Sequence, residues 1–480
     1  MIQRDLLTRQ LYAQDASLYE ELPKGVSFPK SGEDIQRLVR EANEKKFSIT
    51  ARSAGTSLAG QTTGGGIIMD VSRHMKDILN LDAEAKVAHV QPGVIRDPLN
   101  RESAKHQLLF GPDTATTNRC MIGGMVGNNS SGSFSIKYKT TREHTLEIEA
   151  VLSDGSIAHF KPLTPEELEA KQKLDNLEGH IYRSMLKLIE RNRELIEKSY
   201  PHKEIIRRNT GYALDKLCEM QPFNPEGRNF NLCELLCGSE GTLAMTVSAK
   251  LDLSPLDKHK LVVVPQFETL EEAMRAAVDI VSFEPAAVEL VDHIIMDATK
   301  GNIEQRKNRF FLEGEPRYIL ITQFEGNDLD QLHQRANHLA EKLKEKSLGY
   351  AYPIIAEADK MKRVWDLRKA GLGLLMGLGE DGRSPSFCED TAVRVKDLPE
   401  YVNEFNAILK KHDTQCVFYA HASVGELHLR PQIDLFKKEG LEKMKAMADE
   451  IADLVKKYNG SLSGEHGDGR VRAPYIKKIL

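Results

Sequence analysis

Apolar residues at Ile35, Leu38, Val39 and Ala42 recur at the spacing of one helix face, so residues 31–47 are predicted to form an amphipathic helix. Ser31, with Asp34 three residues on, has the form of its start. Short β-type runs broken by glycine follow: FSITARSAG, GGGIIMDVS and VAHVQPGV, then EIEAVLSDGS and GTLAMTVSAKLDLSP. Between the last two the pattern changes. Thr164-Pro165-Glu166-Glu167 reads as a capping box with proline at the first helical position, opening a Lys/Glu-rich stretch. This stretch, about 162–205, is expected to be a solvated two-helix insertion.

The pattern shifts again at Pro255. LVVVPQF, a helix from Glu271 to Val281, AAVELVD, RYILITQFEG and a long charged helix to Lys346 form one β-α-β-like round. A second holds the helix around Trp365, the strand TAVRV, a helix at 399–411 and the strand CVFYAHA, and a helix from about 435 to 457 closes it. This order predicts an α+β fold in two parts: a first domain over residues 1–255, and a cap over 256–457 with an antiparallel sheet and helices on one side. Residues 458–480 are expected to return to the first domain. No repeat of 20–50 residues is visible.

Composition narrows the function classes. A chain of 480 residues exceeds one ordinary core, and 40% hydrophobic with 29% charged residues is ordinary for a globular protein. The net charge of −5 argues against a nucleic-acid partner. No apolar run approaches the ~18 residues of a membrane span, and MIQRDLLTRQLYAQD lacks an apolar signal core. A cytoplasmic location follows as the expectation. The six cysteines, at 120, 218, 233, 237, 388 and 416, give no disulfide framework. Cys233 and Cys237, on an apolar segment, read as core packing, and no four thiols cluster as an iron–sulfur centre requires.

Three segments of the first half combine glycine with small polar residues. The first is Arg52-Ser53-Ala54-Gly55-Thr56-Ser57-Leu58-Ala59-Gly60-Gln61. The second runs from Gly111-Pro112-Asp113-Thr114 to Gly123-Gly124-Met125-Val126-Gly127-Asn128-Asn129-Ser130-Ser131-Gly132. The third is Gly238-Ser239-Glu240-Gly241-Thr242. Successive N–H groups in such turns make a concave donor surface suited to a diphosphate. Three in one domain, across about 190 residues, point to a large extended ligand. The run GLGLLMG at 371–377 imitates a Rossmann turn, but WDLRKA before it reads as helix, and the strand–turn–helix context is missing.

Together ARSAGTSLAGQ, GPDT, IGGMVGNNSSG, NTGYALDKL (209–217), GSEGTLA (238–244), HASVGELHLRP (421–431) and GEHGDGR (464–470) resemble the FAD-linked oxidases of the vanillyl-alcohol oxidase type, with their PCMH-type FAD-binding domain. The resemblance covers nearly the whole chain and is closest to the D-lactate and D-2-hydroxyglutarate dehydrogenase branch. It implies that residues 52–57 wrap the FAD pyrophosphate and that 111–132 with Glu240 and Gly241 line the flavin. Some flavoproteins of this broad type tether FAD through a histidine in the first glycine loop; positions 53–55 are Ser, Ala and Gly, so no such tether is available there and non-covalent FAD is expected.

The second half is rich in ionisable groups. His421 and His428 are seven residues apart, an odd separation that points side chains to opposite faces of an uninterrupted strand. A bulge or turn at Gly425 would bring both imidazoles to one side. Two histidines and a carboxylate from a distant loop make a plausible divalent-metal site with an open position; two unrelated histidines on a β segment is the alternative. The resemblance implies that His421, His428 and Glu465 hold a metal, expected to be zinc, with His466 as general base and Arg368 as the carboxylate-binding arginine. Metal-bearing members commonly read H-x-G-D-G-N-L-H-x-N. Here the middle is Ser423-Val424-Gly425-Glu426, and Arg430 stands where Asn is frequent. Arg430 is expected either to bind a second substrate carboxylate or to salt-bridge a neighbour. Glu389-Asp390 reads as structural.

The expected activity is therefore FAD-dependent oxidation of a D-2-hydroxy acid, D-lactate or D-2-hydroxyglutarate, to the 2-oxo acid. A metal-free flavin oxidase or synthase on the same scaffold is the first rival; a metal-dependent hydrolase and a non-catalytic nucleotide-binding subunit are further ones. The implied electron acceptor is a quinone, a cytochrome, a flavoprotein or a fused iron–sulfur domain, which would bring the protein to the membrane periphery, and a homodimer is expected. The HASVGELHLRP version resembles long members with an additional iron–sulfur domain, so the 480 residues are expected to be a piece of a longer protein.

Overall fold

A computed structural model describes residues 2–376 and 385–480, with backbone alone for 371–376. The helix Gly32–Lys45 starts where Ser31 accepts the Asp34 amide, and it buries Ile35, Leu38 and Val39. These pack on Ile67 and Met69 of a four-stranded sheet. Its strands lie in the order Ile2–Gln3, Gly25–Ser27, Ile67–Asp70, Ile49–Arg52, and the last three are parallel. The first glycine segment is thus the crossover leaving the C-terminal end of Ile49–Arg52, a usual place for a ligand loop.

A second, antiparallel sheet orders Ile78–Asp82, Val87–Val90, Met245–Asp252, Thr145–Val151 and Ile157–Phe160. Its central strand comes from far along the chain, which carries the third glycine segment, immediately before it, back to the other two. The excursion between includes the helices Pro165–Gln172 and Leu177–Ser199. Thr164 and Glu167 make both bonds of the capping box. The longer helix is not simply solvated. Tyr182, Ile189 and Ile196, seven residues apart, form a stripe buried in the core of this half, and the Lys/Glu content describes only its other faces.

An eight-stranded antiparallel sheet follows in the order Ile354–Ile355, His259–Val263, Tyr318–Gly326, Ala287–Asp292, Cys416–His421, Glu426–Pro431, Thr391–Ala392, with Gln266–Phe267 paired to Tyr318–Gly326 off this path. One face, with Leu261, Leu290, Leu320, Phe418 and Leu429, lies under the helices Leu270–Val281, Leu329–Glu345, Leu398–Lys411 and Lys438–Lys457. The other, with Val262, Val291, Ile319 and Val417, lies under His293–Gly301 and Ala358–Met376. The expectation of helices on one side is corrected here. Strands such as AAVELVD are apolar at consecutive positions and need cover on both faces. Of TAVRV only Thr391–Ala392 is strand.

The glycine run at 371–377 continues the helix Ala358–Met376 as far as its sixth residue; Gly377 lies outside the described residues. All six cysteines are unpaired and buried. No helix among the described residues is long and apolar enough to cross a membrane. The two halves meet through Lys137, whose ammonium pairs with Asp257 and, at 2.7 Å, with Glu325. Phe134, two residues after the second glycine segment, packs on Trp365 with ring centroids 5.3 Å apart.

Candidate active site

The strands Cys416–His421 and Glu426–Pro431 form a hairpin whose turn, Ala422–Gly425, places His421 opposite Glu426 and Tyr419 opposite His428. This turn resolves the odd separation of the histidines: they lie on neighbouring strands and on one face. Gly425 has φ 73°, and a Cβ there would stand 1.9 Å from the Val393 carbonyl oxygen, so both conformation and space demand glycine. On the next strand Glu289 pairs in register with His421. Glu289, His421 and Glu426 therefore form one cross-strand row on the face that carries Val291 and Tyr419.

Glu465 arrives from the loop after the helix Lys438–Lys457. Its Oε1 is 3.2 Å from His421 Nε2 and 3.5 Å from His428 Nε2. The other nitrogen of each ring faces a buried carboxylate: His421 Nδ1 lies 2.7 Å from Glu289, and His428 Nδ1 3.6 Å from Glu389. An ionised carboxylate only accepts, so Glu289 takes the His421 Nδ1–H; a cation at Nε2 would meet the ring's lone pair, whereas Glu465 alone draws a proton there. Carboxylate-backed histidines of this kind are the usual outer support of a metal centre.

Burial, with His421 and His466 nearby, lowers His428 to about 4, which keeps the ring neutral. Burial opposes the Glu465 charge, yet Arg207 and the two histidines hold that carboxyl well below the usual range. Burial likewise presses on His421, but Glu289 and Glu465 hold it above its ordinary value. Burial and the neighbouring Glu465 and Asp390 drive Glu426 well up. Glu389 is pulled to about 2 against its burial, chiefly by Arg430.

The ligand atoms of His421, His428, Glu465 and Glu426 all lie within 4.8 Å of one another. Glu426 Oε1 and His428 Nδ1 are buried without a hydrogen-bond partner. Two imidazoles and a carboxylate at this spacing fit a divalent cation such as Zn²⁺.

His466 stacks on His428, centroids 5.2 Å apart, with Nε2 3.7 Å from Glu465 Oε1. Its backbone is pinned from both halves. The amide donates to Asp390 at 2.9 Å, and the carbonyl accepts from Gln61 at 2.7 Å and Asn128 at 3.4 Å. Asp390 also accepts from the Glu465 amide and the Ser463 hydroxyl. The bare Cα of Gly464 lets this loop press on the hairpin, since a Cβ would fall 2.7 Å from the Glu426 carboxyl carbon.

The glycine segments converge on the same loop. A Cβ on Gly124 would touch Ser53 at 3.5 Å, one on Gly127 would lie 4.0 Å from the Glu240 Cα, and one on Gly241 3.5 Å from the Ala51 Cβ. Glu240 accepts from the Asp468 and Gly469 amides. Asn209 of NTGYALDKL donates to the Asn128 carbonyl at 2.5 Å and through its amide to Ser463. Among the described residues, none accepts a hydrogen bond from the backbone amides of Ser53 to Ser57, which suits a loop built to receive a diphosphate. Not every glycine-segment residue presents its side chain to that cradle. Asn129 is buried and accepts from Thr140 and the Arg142 amide. Gly132 packs on Asp113, whose carboxyl burial raises to about 6. The Pro112 carbonyl receives Arg96.

Arg368 reaches the site but is already engaged: Nη2 and Nε lie 2.7 and 2.9 Å from Glu289 Oε2. Arg430 pairs with Glu389 at 2.7 Å, which favours the salt-bridge alternative. Arg207, Glu289 and Arg472 are not among the residues expected from sequence, and Glu426 is marked there only as a departure from the motif. Arg207 is fully buried against Glu426 and Glu465. Arg472 donates to the carbonyls of Gly467 and Glu389. An acid inside the apolar run AAVELV was a readable signal for Glu289; nothing in IIRRNT separates Arg207 from Arg208.

Residues 23–161 match the FAD binding domain family, and residues 256–479 match the family of FAD linked oxidases, C-terminal domain. The chain is 33% identical to a D-2-hydroxyglutarate dehydrogenase of Pseudomonas putida, across 100% of this chain and 48% of that protein. It is 25% identical to a D-lactate dehydrogenase of Archaeoglobus fulgidus, across 94% of this chain and 84% of the relative. In fold it is similar to p-cresol methylhydroxylase with substrate bound, at a TM-score of 0.65, 13% identity and coverage of 97% and 87%. The chain spans about half the length of the curated D-2-hydroxyglutarate dehydrogenases it matches. With both of its domains matched and the glycine segments gathered beside the histidine cluster, the chain belongs to the FAD-linked oxidases.

Proposed function

We propose that this chain is the flavin-bearing unit of a dehydrogenase that oxidises a D-2-hydroxy acid, D-2-hydroxyglutarate or D-lactate, to the 2-oxo acid. The observation that carries the reading is the position of His466: its ring stacks on the candidate metal ligand His428 while its carbonyl is tied to two glycine segments. The names of the relatives support the substrate class. When bound, FAD supplies the hydride acceptor and a divalent cation supplies Lewis acidity toward the substrate hydroxyl.

The chain's own residues divide the remaining work. Ser53 to Ser57 offer backbone donors to the diphosphate, and Gly124, Gly127 and Gly241 let the neighbouring segments close on that loop. His421, His428 and Glu465 would hold the cation, with Glu289 fixing the His421 tautomer. His466 takes the hydroxyl proton at Nε2, while its Nδ1 faces Asp390 at 4.0 Å. Arg368 meets the substrate carboxylate with the edge of its fork not spent on Glu289. Burial of the cluster excludes water from these groups. The electron acceptor is a separate partner or a further segment.

The test is anaerobic reduction of the FAD-reconstituted protein by the two enantiomers of 2-hydroxyglutarate and of lactate. Loss of the visible flavin band with a D-enantiomer and not its mirror image supports the reading. A protein that binds no FAD, or whose flavin no 2-hydroxy acid reduces, ends it.

A further inference from the structure

Glu426 stands where this chain departs from the H-x-G-D-G-N-L-H pattern, with a carboxylate in place of an amide. It is fully buried. The register sets it opposite His421 and two residues before His428, so all three side chains share one face of the hairpin. Its Oε2 is paired with Arg207 Nε, and its Oε1 faces His428 Nε2 at 3.8 Å with no hydrogen-bond donor.

Glu465 is disposed in the same way. Its Oε2 is 3.0 Å from Arg207 Nη2, and its Oε1 faces both imidazoles. One guanidinium thus takes the outer oxygen of each glutamate and leaves the two inner oxygens to the space between the rings. The two glutamates share one Arg207 charge, Glu426 also lies against Asp390, and a buried carboxyl oxygen without a donor is costly. A cation held by His421, His428, Glu465 and Glu426, whose ligand atoms lie within 4.8 Å of one another, would satisfy both inner oxygens.

We propose that Glu426 is a fourth protein ligand of the divalent cation, completing a two-histidine, two-glutamate centre with Arg207 as the shared counter-ion of both glutamates. This rests on the reading of His421, His428 and Glu465 as ligands.

The experiment compares the FAD-loaded chain with its Glu426→Gln variant, titrated with Co²⁺ against a chromophoric chelator. Flavin content reports folding. The variant is expected to bind Co²⁺ more weakly by over ~100-fold, beyond what loss of an outer-shell partner costs, and with an altered Co²⁺ ligand-field spectrum. Equal affinity and an unchanged spectrum overturn the proposal and leave the three-ligand reading standing. A parent chain that binds no Co²⁺ overturns both. Should the variant lose its flavin, anomalous diffraction from Zn²⁺ in crystals of the unaltered chain decides: a Glu426 oxygen at about 2.0–2.2 Å from the ion supports the proposal, whereas one beyond about 3 Å overturns it.

Discussion

Replacing Glu289 with glutamine keeps the size of a fully buried side chain and removes its charge. Glu289 presently accepts from His421 Nδ1 at 2.7 Å and from two Arg368 nitrogens at 2.7 and 2.9 Å. A carboxamide has one acceptor oxygen and one donor nitrogen, so it cannot serve both partners. If its oxygen stays on Arg368, its NH₂ faces His421 Nδ1. The ring must then take the other tautomer, with a proton on the Nε2 that faces Glu465. If the amide is reversed, Arg368 meets a donor and loses its acceptor. Either way one hydrogen bond to a charged group or its support is lost, about 1.5–3 kcal/mol. Loss of a carboxylate behind a ligating histidine independently lowers metal affinity by roughly 10- to 100-fold, or about 1.4–2.7 kcal/mol. The two routes agree, so Glu289→Gln is expected to weaken Zn²⁺ by one to two orders of magnitude with flavin content intact. Competition with a chelator measures it. Unchanged zinc affinity would refute the assignment of Glu289 as the group that sets the His421 tautomer.

Further outcomes follow from other contacts. His466→Gln should retain metal and flavin but slow flavin reduction by about 10²–10⁴-fold, as loss of a general base does; stopped-flow reduction under nitrogen checks this. Gly425→Ala must fit a side chain at φ 73° against the Val393 carbonyl, so the loss should exceed the ~1–2 kcal/mol of a left-handed residue alone; thermal unfolding reads it. Glu240 is raised to about 7 by burial and by Asp468. Its folded-state value lies above its unfolded one, so the folded state holds the extra proton and stability falls as pH rises from about 4.5 to 7. Glu240→Gln should therefore flatten the flavin-free chain's stability profile across that window, as denaturant unfolding against pH would show.

What was legible in the sequence was whatever local chemistry dictates. Ser31 and Thr164 cap helices as their spacing announces, and each acts on its own turn. The hairpin was half legible: Gly425 marked a reversal, but which residues it set opposite His421 depends on the register. Glu389 and Asp390 read as structural, and they hold the histidines and the loop from behind. Arg207 was invisible because its role arises from two glutamates more than 200 residues downstream, and no local pattern encodes such a meeting. The one-sided cap failed for a similar reason: the helix Ala358–Met376 covers a face that its own sequence does not name.

The central claim is that the cluster of His421, His428 and Glu465 beside the glycine loops activates the hydroxyl that the flavin oxidises. Its most direct test is single-turnover flavin reduction by D-2-hydroxyglutarate, without oxygen, in the chelator-stripped protein and after restoring Zn²⁺. A Lewis acid contributes several kcal/mol at the transition state, so the stripped protein should reduce its flavin slower by ~100-fold or more and recover with metal. Equal rates in the two preparations would contradict the account.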